Sequence, residues 1–206
     1  MRIAFDEAEN VPPADLHIRL AGADDAGAVA AIYAPFVEHT PITFEAVVPD
    51  AAEMAQRIVD TLRVHPWLVC EVEGRLAGYA YATHHRTRAA YRWSVDTSVY
   101  IDPAFHRRGV GRALYARLFE ILRAQGFFNA YAGITLPNPA SVGFHEAVGF
   151  RPLAAYTKVG CKLGVWYDVG WWQLTLQPHV ADPPDPVPFS TLVVAPAWAR
   201  ATGASS

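Results

Sequence analysis

Apolar positions recur along this chain in two rhythms, one helical and one alternating. Val29, Ile32, Tyr33 and Phe36 fall on neighbouring turns of a helix. Asp24 is placed to cap that helix, and Pro35, which has no amide hydrogen, to end or bend it. Asp50 and Glu53, three apart, predict the start of a second helix with Met54, Ile58 and Leu62 on one face. A third helix carries Val110, Leu114, Leu118, Ile121 and Leu122 at helical spacing and closes at Gly126. Residues 139–148 predict a short fourth helix ending at Gly149.

Strand patterns fill the intervals. A short apolar start lies at 18–20, and the runs 67–72 and 75–82 flank Glu73-Gly74, a hairpin turn signal. Residues 93–101, 129–135, 153–159 and 166–176 read as further strands. Helices and strands in this order predict a mixed α/β (α+β) domain with a central, partly antiparallel sheet over residues 18–177. Residues 1–17 form a polar extension containing Pro12-Pro13. Residues 178–206 form a proline-rich tail, read as irregular chain laid on the surface through Phe189, Leu192, Val193 and Trp198. No internal repeat is visible.

Composition narrows the class. The 206 residues suffice for one domain with a full core, and 52% hydrophobic against 18% charged residues fits a folded soluble chain. The formal net charge is -3, so no global basic excess favours nucleic acid. No apolar run approaches the roughly 20 residues of a membrane span. The first residues lack the basic start and apolar middle of a signal peptide. Cys70 and Cys161 have no metal-ligand spacing, and two free thiols in a cytoplasmic chain are expected. The adjacent His84-His85 pair lacks acidic or cysteine partners at ligand spacing, so no metal site is expected.

Basic residues cluster locally, around residues 86–92 and 106–112, which suits a small anionic ligand. The second cluster lies in "YIDPAFHRRGVGRAL", after a strand and before a helix. A nucleotide-binding Gly-Lys-Ser/Thr loop is excluded because Arg112-Ala113 follows Gly111. A dinucleotide fingerprint is excluded because Leu114 stands where its third glycine belongs. What survives is an anion cradle: Gly109 and Gly111 admit close backbone approach, the helix start adds positive potential, and Arg107, Arg108 and Arg112 add charge.

The stretch "SVYIDPAFHRRGVGRALYARLFEILRAQGF" resembles the acetyl-CoA-binding segment of the GNAT N-acetyltransferase superfamily. "NPASVGFHEAVGF" is similar to that superfamily's later Asn-x-x-Ser/Ala-x-x-Phe segment, with His145 where a Tyr is usual. His106 stands where Gln or Arg is usual. "YAPFVEHTPITFE", "YAYATHHRTRAAYRWSVDTSVYI", "ITLPNPASVGFHEAVGF" and "GVWYDVGWWQL" together resemble phosphinothricin N-acetyltransferases over roughly residues 18–176. This implies the acyl-CoA N-acyltransferase fold, a mixed, mostly antiparallel twisted sheet flanked by helices. It implies acetyl-CoA as co-substrate, no metal, a small amino-acid-like amine as acceptor, and a homodimer with sites near the interface.

The resemblance also assigns roles. Gly109, Val110 and Gly111, with Arg107, Arg108 and Arg112, are expected at the CoA pyrophosphate, and Asn138 and Ser141 along the CoA arm. A backbone amide among Val99, Tyr100 and Ile101 is expected to meet the developing oxyanion. Asp96, at the family's acidic position, and His145 are the expected proton acceptors, Asp96 directly or through a water. Arg88 and Tyr91, with Arg86, are expected to line the acceptor site, where a guanidinium grips a carboxylate through two hydrogen bonds. Phe44 is expected as an apolar wall and Glu45 as a group positioning the amine. The reaction implied is direct acetyl transfer in a ternary complex, with no acyl-cysteine intermediate. Acetylation of protein or peptide N-termini, and a non-catalytic acyl-CoA-binding module, remain as alternatives.

Overall fold

In the computed structural model, which describes residues 16–193, Glu73 and Gly74 both adopt positive φ, 53° and 74°. A two-residue hairpin turn needs that left-handed pair, and it joins β2 (Trp67–Val72) to β3 (Arg75–His84). β1 (Leu16–Leu20) lies outside β2, and β4 (Ser94–Ile101) lies beside β3, all antiparallel. β5 (Asn129–Leu136) then pairs with β4 in parallel, the one parallel contact in the sheet. β7 (Val165–Thr175) and β6 (Arg151–Lys162) complete the order β1-β2-β3-β4-β5-β7-β6. The expected mixed, mostly antiparallel sheet is found.

Each face of the sheet is covered by helices whose apolar stripes the sequence announced. α1 (Ala26–His39) and α2 (Ala51–Leu62) bury Val29, Ile32, Tyr33, Val37, Met54 and Ile58 against Trp67, Val69 and Tyr79. α3 (Val110–Gln125) buries Val110, Leu114, Leu118, Ile121 and Leu122 against Leu68, Ala80, Ala82 and Val95 on the other face. α4 (Pro139–Ala147) follows β5, and α5 (Phe189–Val193) ends the described chain. Among the described residues, no helix is long and apolar enough to cross a membrane.

Local details differ from the expectations. Asp24 does not cap α1; a 3-10 turn, Ala23–Asp25, precedes the helix, and the Asp25 carboxylate accepts from the Gly22 amide and from Arg19. Pro35 does not end the helix: α1 continues to His39, with Val37 beyond the proline buried, so tertiary packing outweighs one lost backbone bond. β6 is longer than residues 153–159 and forms an edge hairpin with β7. Leu163 and Gly164 carry its turn at φ 52° and 77°.

The tail is bound more deeply than a surface strap. The Phe189 side chain is 1% exposed and belongs to the main core. The amides of Val187 and Phe189 donate to Gln125 and Val64, Gln125 Nε2 donates back to both carbonyls of Val64 and Val187, and Trp93 donates to the Pro184 carbonyl. Leu192 packs against the same core, while Trp198, the Val193 side chain and most of the N-terminal extension lie outside the described residues.

Candidate active site

β4 and β5 pair over only three rungs, Ser94 with Asn129, Val95 with Ala130, and Asp96 with Tyr131. Beyond Asp96 the strands part, so the β4 backbone on its β5 side has no strand partner there. A cleft opens in the fork, bounded by Thr97, Ser98, Val99 and Tyr100 on one arm and by Ala132, Gly133, Ile134 and Thr135 on the other. It runs into a groove of about 480 Å³ lined by Val99, Tyr100, Ile101, His106, Arg107, Gly109, Val110, Gly111, Arg112, Asn138, Ser141, Phe144 and His145. The expected cofactor residues are thus brought together on one surface, Arg108 excepted.

The glycine loop works through two different requirements. Gly109 stands at φ 82° as the residue before α3, a left-handed position that a side chain would strain, and its carbonyl accepts from Ala113. Gly111 has a steric role: a Cβ there would meet the Phe144 ring at 3.2 Å. Its smallness lets α3 and α4 close on one another rather than baring the backbone alone, as the sequence suggested. Arg107 and Arg112 line the groove and have no partner among the described residues, whereas Arg108 turns away to Glu73 at 3.2 Å. His106 donates from Nε2 to the Ile101 carbonyl at 3.2 Å, bracing the end of β4 over the groove.

At the far end of the groove, the Asn138 side chain accepts from the Ser141 amide and caps α4, and Pro139 occupies the first turn, where no donor is missed. His145 lies one turn after Ser141 and is buried. Its Nδ1 lies 2.8 Å from the Ser141 carbonyl and therefore donates, and its Nε2 accepts from the Tyr115 hydroxyl at 3.1 Å. Burial pushes the imidazole down from its ordinary value, so the neutral ring is favoured. Both ring nitrogens are thus bonded within the protein, while the residue lines the groove and the cleft.

The residues expected around the acceptor lie in the β3–β4 connection, beside Trp171 of β7. Asp96 Oδ1 lies 2.6 Å from His85 Nδ1. The His85 ring stacks on Tyr131 at 4.2 Å and meets Trp171 and Tyr91 edge-on at 5.8 and 6.0 Å. Arg86 lies over the Trp171 ring and donates to the His85 carbonyl. Arg88 begins the 3-10 turn Ala89–Tyr91, exposed and without a side-chain partner among the described residues. Burial raises Asp96 from the usual carboxylate value, and the His85 contact only partly offsets this.

Glu45 and Phe44 lie in the loop between α1 and α2. Glu45 is held by Arg57 through two bonds of 2.8 and 3.0 Å and by the Tyr33 hydroxyl, so its carboxylate is already committed. Phe44 is seated over Gly160 of β6, where any Cβ would overlap its ring. Lys162 donates to the Thr43 carbonyl at 2.7 Å and ties the same loop to the hairpin. The sequence weighed His85 only as a metal ligand and did not place it beside Asp96. The register Thr83 opposite Asp96 carries the signal, since it brings the residue after β3 back beside Asp96.

Comparison with known proteins places this geometry in a family. A family model described as an acetyltransferase (GNAT) domain matches residues 18–171. The chain is 38% identical to a phosphinothricin N-acetyltransferase of Streptomyces viridochromogenes over 84% of its own length and 93% of that protein's. It is 35% identical to an L-methionine sulfoximine/L-methionine sulfone acetyltransferase of Salmonella typhimurium, covering 80% of this chain and 96% of that one. Its fold is similar to the crystal structure of a phosphinothricin acetyltransferase from Sinorhizobium meliloti in complex with acetyl-CoA. That match has a TM-score of 0.79 and 33% identity, and covers 84% of this chain and 95% of that one.

Proposed function

For a chain that belongs to the GNAT acetyltransferase family and is an N-acetyltransferase, we propose that acetyl-CoA delivers its acetyl group to the amino group of a small amino-acid-like acceptor, by direct transfer in a ternary complex. The observation that carries this reading is the fork itself. The cleft between β4 and β5 opens onto a basic, glycine-led groove, and Asp96, on the last paired rung before the strands part, bonds His85 of the connection that carries Arg88, which has no side-chain partner among the described residues.

The groove fits the donor. The pyrophosphate rests on the amides at Gly109, Val110 and Gly111 with Arg107 and Arg112 beside it, and the pantetheine arm runs between the open edge of β4 and Asn138–Ser141 at the start of α4. The thioester carbonyl reaches the fork, where an unpaired amide among Val99, Tyr100 and Ile101 meets the developing oxyanion. Arg88 grips the acceptor carboxylate, with Arg86, Tyr91 and Phe44 around it. The amine loses a proton on the Asp96 side, attacks the thioester carbon, and CoA leaves as the thiol. Cys70 is buried and lines neither cavity, and no step requires an acyl-cysteine. His145 shapes the groove wall through its bonds to Tyr115 and Ser141.

Phosphinothricin, methionine sulfoximine and methionine sulfone are the acceptors we favour, on the strength of what the named relatives act on. We also propose a homodimer, supported by the apolar, edge-forming hairpin β6–β7. Initial rates measured with acetyl-CoA and methionine sulfone both varied test the mechanism. Intersecting double-reciprocal lines are expected, and parallel lines contradict direct transfer. The methyl ester of the same acceptor is expected to lose most of its kcat/KM, and an unchanged value contradicts the carboxylate clamp.

A further inference from the structure

Asp96 has a short arm on the last paired rung of β4, and its Oδ1 is already bonded to a histidine. The proton acceptor for an ammonium group must reach past that bond. We propose that His85 is the base that takes the acceptor's ammonium proton, with Asp96 as its positioning residue. The proposal rests on the acetyltransferase reading above and names a residue within that site.

The geometry is that of a prepared base. Asp96 fixes Nδ1 at 2.6 Å, so the neutral ring carries its hydrogen there and leaves the Nε2 lone pair free. Among the described residues, Nε2 has no hydrogen-bond partner. Stacking on Tyr131 and edge contacts to Trp171 and Tyr91 hold the ring in one orientation. The groups facing the imidazole are Asp96 from β4, Tyr131 from β5, Trp171 from β7, and Arg86 and Tyr91 from its own connection. An imidazole also suits the task better than a carboxylate, because a general base is most effective with a pKa near the working pH.

The balance is simple. Nε2 takes one proton from the ammonium nitrogen, whose freed lone pair forms the bond to the thioester carbon. The carbon–sulfur bond breaks towards sulfur, and a second proton from the attacking nitrogen ends on the thiolate. The imidazolium returns its proton to solvent. The products are the N-acetylated amine, CoA thiol and one proton.

The test compares the full-length protein with its His85→Gln variant in thiol release from acetyl-CoA and methionine sulfone, from neutral pH to above the amine's own pKa. At neutral pH, kcat is expected to fall by about 10²–10⁴-fold with the acetyl-CoA KM kept. The deficit is expected to close as the free amine becomes abundant and needs no base. Wild-type kcat at neutral pH overturns the assignment, and so does a deficit of the same size at every pH, which marks a packing role. Nitrogen NMR of the imidazole reads the pair without turnover. The neutral ring is expected with Nδ1 protonated. A ring protonated on Nε2 overturns the proposal. If methionine sulfone is not acetylated by the wild-type protein, the acceptor reading fails and the NMR result still decides the His85–Asp96 pair.

Discussion

Replacing Arg88 with alanine removes an exposed guanidinium that has no partner among the described residues, so the fold loses little. A hydrogen bond to a charged group contributes about 1.5–3 kcal/mol. Arg88→Ala is therefore expected to raise the acceptor KM by roughly 10- to 100-fold, with the acetyl-CoA KM unchanged, in steady-state kinetics. Asp96 behaves in the opposite way towards stability. Burial raises its pKa in the folded chain, so the folded state holds that proton more tightly than the unfolded one. The stability this adds is complete below the ordinary carboxylate range and lost as pH rises through the folded value. At neutral pH the ionised group is a burden. Asp96→Asn, whose amide oxygen still accepts from His85, is expected to keep or raise the melting temperature at pH 7.5 while turnover falls. A melting temperature several degrees lower contradicts this.

At the scale of elements, the sequence was most readable where a feature is local. Glu73-Gly74 and the α3 stripe each depend on a few neighbouring residues, and both stand as read. Features that join distant elements were not readable. Arg57 claims Glu45 from one helix turn of α2, Tyr115 of α3 meets His145 of α4, and His85 meets Asp96 only through the β3–β4 register. None of these partners is within hydrogen-bonding distance by sequence spacing. His65, between α2 and β2, is another such case. It is 3% exposed, both its nitrogens lack hydrogen-bond partners among the described residues, and it packs edge-on against His84. Burial, with a smaller contribution from His84, pushes it down to about 4. The unfolded chain therefore takes up a proton that the folded one refuses, and stability falls as pH drops from about 6.5 towards 4. At pH 5 the loss from this one group is about 2 kcal/mol. His65→Leu is expected to flatten that part of the pH–stability curve in urea melts, with His145 leaving a residual slope of the same sign.

For the molecule as a whole, the tail secures α3 and the α2–β2 connection, through Phe189 in the core and Gln125 bonded to Val64 and Val187. The β6 end leaves an edge strand and a row of exposed apolar groups, Leu153, Tyr156, Val159, Val165 and Trp166, the last 61% exposed. Contiguous apolar surface on an unpaired edge favours association. Light scattering is expected to give a dimer for the native chain and a monomer for Trp166→Glu, and a native monomer at micromolar concentration contradicts the homodimer. The central claim is that the fork between β4 and β5 brings acetyl-CoA to a small amino acid held by its carboxylate. The most direct measurement is thiol release from acetyl-CoA across phosphinothricin, methionine sulfoximine, methionine sulfone, ordinary amino acids and short peptides. Turnover concentrated in the first three is the predicted result, and turnover confined to peptides, or acetyl-CoA binding with no acceptor turned over, would contradict it.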